Sequence, residues 1–184
     1  FESGNILYTS NNIHFSEIET AAGLGVNLNI DSLCNLGKFG EKYGHEYPVG
    51  IRVRPNIMAG GNLKISTGHV NSKFGIPLEQ INEVVTLVKK KNLCIRTLHI
   101  HTGSEIKDVE VFAKGIEVLF DVALQFPELE VIDLGGGFKV PYQPGEEGTD
   151  IEQLGEKVKQ EFNWFEDRYK RHFQVWFEPG KYLV

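Results

Sequence analysis

Short apolar segments alternate with segments of helical periodicity along the whole chain. The apolar segments have the length of strands, and the segments between them carry apolar residues three and four positions apart, as amphipathic helices do. The predicted strands are residues 5–9, 26–30, 49–54, 95–101, 131–134 and 174–178. Ser16 and Asp150 are predicted to cap the first and last helices. This alternation predicts an α/β protein with a parallel sheet covered by helices.

Such a sheet has two possible architectures, an open doubly wound sheet and a closed (β/α)₈ barrel. Six strands in 184 residues leave a barrel two strands short, since a complete barrel needs about 250 residues. The chain starts at Phe1 without a methionine and stops at Val184 within an apolar run. We therefore expect it to be part of a longer protein.

Three consecutive glycines, Gly135, Gly136 and Gly137, follow the buried strand that ends at Leu134. Glycine loses more backbone entropy on folding than other residues, so a cluster indicates a structural demand. One interpretation is a plain turn from strand to loop. The other is a cradle whose bare N–H groups approach a phosphate.

Polar residues follow the other strands, at the edge where both architectures place their active sites. His99 and His101 are two positions apart, so on a strand they would share a face. They are read as core histidines or a metal pair, and no carboxylate at metal-site spacing accompanies them, so no metal site is predicted. Glu178 ends the last strand and could serve an ion pair, a helix cap or a cationic ring nitrogen.

The composition restricts the classes of partner. A net charge of −6 argues against sequence-independent binding of nucleic acid. No apolar stretch has the length of a membrane span, and no signal peptide opens the chain. Cys34 and Cys94 are predicted to be buried, reduced thiols, which is typical of a cytoplasmic protein.

Three motifs together resemble the fold-type-III decarboxylases that use pyridoxal 5'-phosphate (PLP). They are His101-Thr102-Gly103-Ser104, Leu134-Gly135-Gly136-Gly137-Phe138 and Glu178-Pro179-Gly180. The segments 65–68 and 72–76 resemble the branch of that family that acts on diaminopimelate. The resemblance implies a PLP-binding TIM (β/α)₈ barrel with about six of its eight β/α units present. Residues 1–184 would be its central and C-terminal part, without the first barrel strands and the C-terminal β-domain.

The resemblance also implies a role for each motif. His101 would stack on the pyridine ring, Glu178 would pair with the ring nitrogen, and both would be catalytic. The phosphate would be bound by Ser104, Gly135, Gly136 and Gly137, while Pro179, Gly180 and Lys181 would lie against phosphate and substrate. Lys181 stands where most members carry arginine, and it keeps the charge without the bidentate fork.

The implied activity is decarboxylation of meso-2,6-diaminopimelate to L-lysine. Alternatives are a sister enzyme acting on ornithine or arginine, a non-catalytic PLP-binding homologue, and an unrelated phosphate-binding barrel. The family's Schiff-base lysine lies on the first barrel strand, and Lys73 and Lys181 belong to other motifs. This span alone is therefore expected to be inactive, and the full-length protein is expected to be a cytoplasmic homodimer with shared active sites.

Overall fold

The computed structural model describes residues 1–9, 11–57, 68 and 72–183. Its strands form one sheet in the order β1-β2-β3-β5-β6-β7, with the two-residue β4 paired to β3, and every pairing is parallel. The strands are β1 (Leu7–Thr9), β2 (Asn27–Ile30), β3 (Val49–Arg54), β4 (Ile76–Pro77), β5 (Ile95–His99), β6 (Val131–Asp133) and β7 (Gln174–Trp176). All six predicted strands are therefore confirmed, several of them shortened at their ends.

Within the described residues, five α-helices connect the strands. They are α1 (Phe15–Gly23), α2 (Leu33–Lys42), α3 (Ile81–Lys91), α4 (Val109–Ala123) and α5 (Ile151–Tyr169). Short 3₁₀ turns lie at Ser3–Asn5, Gly44–Glu46, Leu78–Gln80 and Gly180–Tyr182. Among the described helices, none combines the length and apolarity that crossing a bilayer requires.

The sheet curls strongly, so that its two edges approach each other. Six strands laid flat would separate the edges by about 24 Å at the usual spacing of neighbouring strands. Instead the hydroxyl of Thr9, at the end of β1, lies 3.5 Å from the carboxylate of Glu178, which follows β7. The fold is thus a curled half-barrel of six parallel strands, and the alternative of an open doubly wound sheet is wrong.

The first helix begins one residue earlier than its predicted cap. His14 Nδ1 accepts a hydrogen bond from the backbone N–H of Ser16 at 3.3 Å, and α1 starts at Phe15. The prediction that Ser16 caps this helix is therefore wrong, because the imidazole two residues earlier satisfies the free N–H. Asp150 does cap α5, by accepting from the N–H of Gln153 at 2.9 Å.

Apolar side chains between the sheet and the helices form one core. Ile51 of β3, Phe39 of α2 and Ile116 of α4 are fully buried, and each such side chain contributes about 1.5–3 kcal/mol of stability. Phe112 of α4 packs on Phe138 with ring centroids 5.2 Å apart. Because Phe138 directly follows the three glycines, this contact anchors the glycine loop to the core.

The strands also carry buried polar residues. Five of them are at most 7% exposed: Asn29, Arg52, Thr97, His99 and Asp133. The side-chain amide of Asn29 donates to the hydroxyl of Thr9 at 3.1 Å, so it links β2 to β1. Burying polar groups on this scale is costly unless they are paired or serve a site.

The two cysteines differ in exposure. Cys94 is buried, as predicted, whereas Cys34 is exposed on α2, and both are free thiols. The prediction for Cys34 is wrong because its position near the start of α2 falls on the side of the helix that faces solvent.

Candidate active site

The glycine loop after β6 is held by close backbone packing. A Cβ on Gly136 would lie 2.1 Å from the carbonyl oxygen of Glu178, and one on Gly137 would lie 1.9 Å from the carbonyl oxygen of Gly103. Gly135 and Gly137 also have φ of +65° and +90°, which L side chains rarely adopt. Packing within the protein therefore already requires glycine at these positions, because the neighbouring backbones leave no room for a side chain.

Hydrogen bonds link this loop to the two other predicted motifs. The N–H of Gly136 donates to His101 Nδ1 at 3.3 Å, and the N–H of Glu178 donates to the carbonyl of Gly135 at 2.8 Å. The three motifs that are separate in the sequence thus meet at the carboxyl ends of β5, β6 and β7. Burial first, and the positive charge of Arg52 second, lower the pKa of His101 to about 4. The ring is therefore neutral, as an Nδ1 acceptor requires.

A compact acid–imidazole cluster lies beside the loop. Ligating atoms of His99, Asp133 and Glu178 all lie within 4.8 Å of one another, and His99 Nε2 is 3.5 Å from Glu178 Oε1. His99 and Asp133 are 1% and 0% exposed, whereas the Glu178 side chain is 38% exposed. Two carboxylates thus lie near His99, one on β6 and one after β7, although neither stands at metal-site spacing from the histidines in the sequence.

The protonation states of this cluster follow from its burial. Desolvation lowers the pKa of His99 well below its ordinary value, with Arg52 and His101 acting in the same direction. Desolvation, followed by the negative charge of Glu178, raises the pKa of Asp133 to about 7. Both shifts favour the neutral forms of the buried groups.

Arg52 brings a buried positive charge to the same region. It is 7% exposed and lies 5.3 Å from the centre of the Phe74 ring. Burial lowers its pKa, while Asp31 and Glu178 oppose that shift. Phe74 belongs to the segment 72–76 that the sequence singled out, so this segment covers a charged group at the site.

The predicted residues Ser104 and Lys181 are both neighbours of Glu105. Lys181 pairs with Glu105, and Lys139 lies 3.7 Å from the same carboxylate. Ser104 is half-buried immediately before Glu105, in a loop tied to the glycines by the Ile106 N–H donating to the Gly137 carbonyl at 2.9 Å. Lys181 is therefore close to the glycine loop but engaged in an ion pair.

The described surface holds a cavity of about 630 Å³ between the first and last strands. Residues of β1 line one side, and Asp133, Trp176 and Glu178 line the other. The lining includes no lysine among the described residues. The cavity thus lies against Asp133 and Glu178 and is large enough for a small molecule.

Most predicted site residues come together, and some functional candidates were missed. His101, the three glycines, Glu178 and its following turn share one end of the sheet. Asp133 and Arg52 were not singled out from the sequence, although each interrupts an apolar strand with a charge, which is a usable signal. Of the segment 65–68, residues 65–67 lie outside the described residues.

Two curated relatives are similar to the chain along its whole length. Both are diaminopimelate decarboxylases: that of Methanothermobacter thermautotrophicus is 33% identical over 193 residues, and that of Archaeoglobus fulgidus is 30% identical over 192 residues. Each alignment covers 100% of this chain but only 44% and 46% of the relative. The chain therefore spans about half the length of the curated relatives it matches.

Solved structures agree with the sequence relatives. A crystal structure of diaminopimelate decarboxylase matches with a TM-score of 0.85 at 26% identity, over 98% of this chain and 42% of that one. The Helicobacter pylori diaminopimelate decarboxylase complexed with L-lysine matches with a TM-score of 0.81 at 25% identity, over 100% and 47%. The family description "Pyridoxal-dependent decarboxylase, pyridoxal binding domain" covers residues 1–184. The chain accordingly belongs to the pyridoxal-dependent decarboxylases and contains their TIM-barrel-type pyridoxal-binding fold.

Proposed function

We propose that the full-length protein is a PLP-dependent decarboxylase that converts meso-2,6-diaminopimelate to L-lysine. The observation that carries the proposal is the meeting of His101, the glycine loop and the Glu178 carboxylate at one end of the half-barrel. The diaminopimelate decarboxylases among the relatives and the solved structures support the choice of substrate.

The described residues fit PLP in charge and in hydrogen-bonding capacity. The buried nitrogens of His99 and one oxygen of Asp133 have no hydrogen-bond partner in the described structure, which is typical of a region built to receive a polar ligand. Glu178 would face the ring nitrogen and His101 the ring face. The phosphate would be held by Ser104, by the glycine loop and by the turn 179–181.

The glycine amides would contribute unequally to the phosphate. The N–H groups of Gly135 and Gly136 already donate to Asp133 and His101. Gly137 is therefore the amide of the loop that we assign to the phosphate. Lys181 would have to exchange its ion pair with Glu105 for contact with phosphate or with the distal carboxylate of the substrate.

Bound PLP supplies an electron sink for the carbanion that decarboxylation leaves. The residues of this chain set the conditions for that chemistry. An ionised Glu178 favours the protonated form of a ring nitrogen, because the opposite charges attract. A neutral His101 offers a flat ring without adding a second positive charge, and the buried Arg52 balances the carboxylates around it.

Several finer assignments belong to the same proposal. The Schiff-base lysine would come from the longer protein, so residues 1–184 alone would be inactive, and the missing barrel strands would close the space between β1 and β7. The full-length protein would be a cytoplasmic homodimer whose subunits share active sites, and its C-terminal β-domain would follow the barrel.

The test uses purified full-length protein with each candidate amino acid. We expect carbon dioxide release from meso-2,6-diaminopimelate and none from ornithine or arginine, together with a visible absorbance from bound PLP. Release from ornithine or arginine alone would assign the protein to a sister enzyme. A protein that gains no absorbance with added PLP would overturn the proposal.

A matched pair of variants tests the role of Glu178. Glu178→Gln should retain PLP but lower kcat by about 100-fold or more, a usual loss for a charge that acts on the reacting group. Glu130→Gln changes an exposed carboxylate at the other end of the sheet and should leave kcat unchanged. Equal kcat for the two variants would refute the assigned role of Glu178.

A further inference from the structure

Asp133 is a fully buried residue of β6 that lies close to Glu178. One of its carboxyl oxygens lies within 4.8 Å of a carboxyl oxygen of Glu178 and of a ring nitrogen of His99. We propose that Asp133 is a positioning residue: its carboxyl group keeps a proton and uses it to donate a hydrogen bond to the Glu178 carboxylate, which is thereby held in one orientation. The benefit to the cofactor ring rests on the proposed function, whereas the shared proton is a property of the protein alone.

The burial of the two carboxyl groups decides which of them holds the proton. Two carboxylates this close repel each other, so the second ionisation is strongly disfavoured. The charged form is least stable at the more buried position, since desolvation penalises charge. Asp133 is 0% exposed while the Glu178 side chain is 38% exposed. The proton therefore resides on Asp133 and the negative charge on Glu178.

The two oxygens of Asp133 have different surroundings. Oδ1 accepts the N–H of Gly135 at 2.9 Å, which shapes the start of the glycine loop. Oδ2 is buried and has no hydrogen-bond partner among the described atoms, so it is the oxygen available to carry the proton. A proton on Oδ2 would allow Asp133 to donate a hydrogen bond to Glu178, whose carboxylate lies within 4.8 Å of the Asp133 carboxyl group.

Glu178 then accepts from two neutral donors. Thr9 Oγ1 donates to Glu178 Oε1 at 3.5 Å, and the second donor is the proposed protonated Asp133 of β6. His99 Nε2 lies 3.5 Å from the same oxygen without forming a hydrogen bond. A carboxylate that accepts several hydrogen bonds stays ionised and holds one orientation. One residue of β6 thus connects the glycine loop on one side to the ring-facing carboxylate on the other.

The charged and titratable groups around this pair support the same assignment. They are His99 and His101 from β5 and its following loop, Arg52 from β3, Asp31 after β2, and Glu178 after β7. Burial and the charge of Glu178 raise the pKa of Asp133 to about 7, and the Gly135 N–H opposes that shift. The pKa of each histidine is lowered, so neither supplies a positive charge that would ionise Asp133.

The first experiment measures the proton directly, by infrared spectroscopy of the full-length apoprotein between pH 5 and pH 9. We expect a protonated carboxylic acid that loses its proton with a midpoint near pH 7 and whose band is absent from Asp133→Asn. The band should persist in Asp121→Asn, which alters an exposed aspartate on α4. A spectrum of Asp133→Asn identical to that of the wild type would overturn the proposal.

The second experiment compares PLP affinity across pH. Asp133→Ala should weaken PLP binding by about tenfold or more, and Asp133→Asn should restore most of that loss because its amide can donate to Glu178. The Asn variant should also lose the pH dependence near neutrality. If Asn binds PLP as poorly as Ala, Asp133 does not act as a donor and the proposal fails.

A divalent cation is the competing occupant, since the same three donors could ligate one. Calorimetric titration of the apoprotein with Zn²⁺ separates the two cases. Tight binding of one equivalent that Asp133→Asn abolishes would overturn the shared proton, and we expect no such binding. The infrared and zinc measurements need no PLP, so they decide the role of Asp133 even if the proposed decarboxylase activity is absent.

Discussion

The two ends of the sheet treat their polar groups in opposite ways. At the amino ends of the strands, polar side chains are exposed and paired: Arg96 contacts Glu130 at 2.7 Å, and His45 contacts Glu128 at 2.9 Å. At the carboxyl ends, His99 and Asp133 are buried, and several of their atoms have no partner in the described structure. The polar groups named at the amino ends thus have partners within the protein. The buried groups at the carboxyl ends lack them in the described structure, which is typical of a site that receives a polar ligand.

This difference indicates where stability and function reside. Arg171 near the amino end of β7 donates to the carbonyls of Ala123 and Phe126 at 2.8 and 2.9 Å, so it closes the end of α4 onto the sheet. These hydrogen bonds need no ligand, because both partners belong to the protein. Under the proposals above, the buried groups of the carboxyl end would be completed by a proton, a cofactor or both, which is the usual distribution in barrel enzymes.

The largest expected effect comes from adding a methyl group to the glycine loop. Gly137→Ala would place Cβ 1.9 Å from the Gly103 carbonyl oxygen at a φ of +90°, so we expect a loss of about 3 kcal/mol or more. Gly155→Ala, on α5 with no atom within 4 Å, should instead stabilise by up to about 1 kcal/mol. Urea unfolding of the two full-length variants measures both, and equal effects would refute the steric account.

The next effect is a pH dependence of stability at the carboxyl end. The raised pKa of Asp133, about 7 against 3.8, adds stability that is full below pH 4 and is lost as pH rises through 7. When fully present, this contribution to the free energy of unfolding is at most about 4 kcal/mol. The lowered pKa of His101, about 4 against 6.5, acts oppositely and adds stability that is lost as pH falls through 4.

The difference between wild type and Asp133→Asn isolates the first of these contributions. The free energy of unfolding of the wild type, relative to the variant, should decline between pH 4 and pH 7. Chemical unfolding at several pH values measures it. A difference that is constant across this range would show that Asp133 titrates normally in the folded protein.

A smaller effect on stability is expected from replacing Arg171, at the amino end of β7. Arg171→Ala should destabilise by about 1–3 kcal/mol, because the carbonyls it serves lose their donors. PLP affinity should not change, since the residue lies at the opposite end of the sheet. Arg168→Ala, which removes an exposed arginine of α5, is the control, and a loss of PLP affinity in Arg171→Ala alone would contradict the separation of the two ends.

The smallest effect is expected from an exposed ion pair. Arg96 and Glu130 have side chains 46% and 58% exposed, so their coupling energy should be below about 1 kcal/mol and should vanish at high salt. A double-mutant cycle with alanine at both positions measures it. A coupling well above that value would show that the amino end also depends on strong electrostatics.

The sequence predicted local features well. Strand–helix alternation and the cap at Asp150 follow from residues close together in the chain, and both are confirmed. The structural demand for glycine at residues 135–137 is confirmed too, whereas their binding of a phosphate stays a prediction. The prediction of a cap at Ser16 was wrong because the helix starts at Phe15 and His14 caps it, by accepting from the N–H of Ser16. The prediction that Cys34 is buried was wrong because the apolar residues around it in the sequence do not determine which side of α2 it lies on.

The candidate site was predicted in part. The motifs around His101 and Glu178 could be recognised in the sequence, and the structure brings them together. Asp133 was overlooked because its partners come from other strands, so no spacing pattern contains them. Its neighbour Glu178 lies beyond the last strand, and only the pairing of β6 with β7 makes them close.

By itself, the sequence determined the succession of strands and helices, because periodicity and turn chemistry act over a few residues. The tertiary structure alone decided which strand ends meet. Thr9 and Glu178 are 169 positions apart and come within 3.5 Å only because the sheet curls. Burial then sets the protonation of His99 and Asp133, since desolvation depends on the whole surrounding fold and on no local pattern.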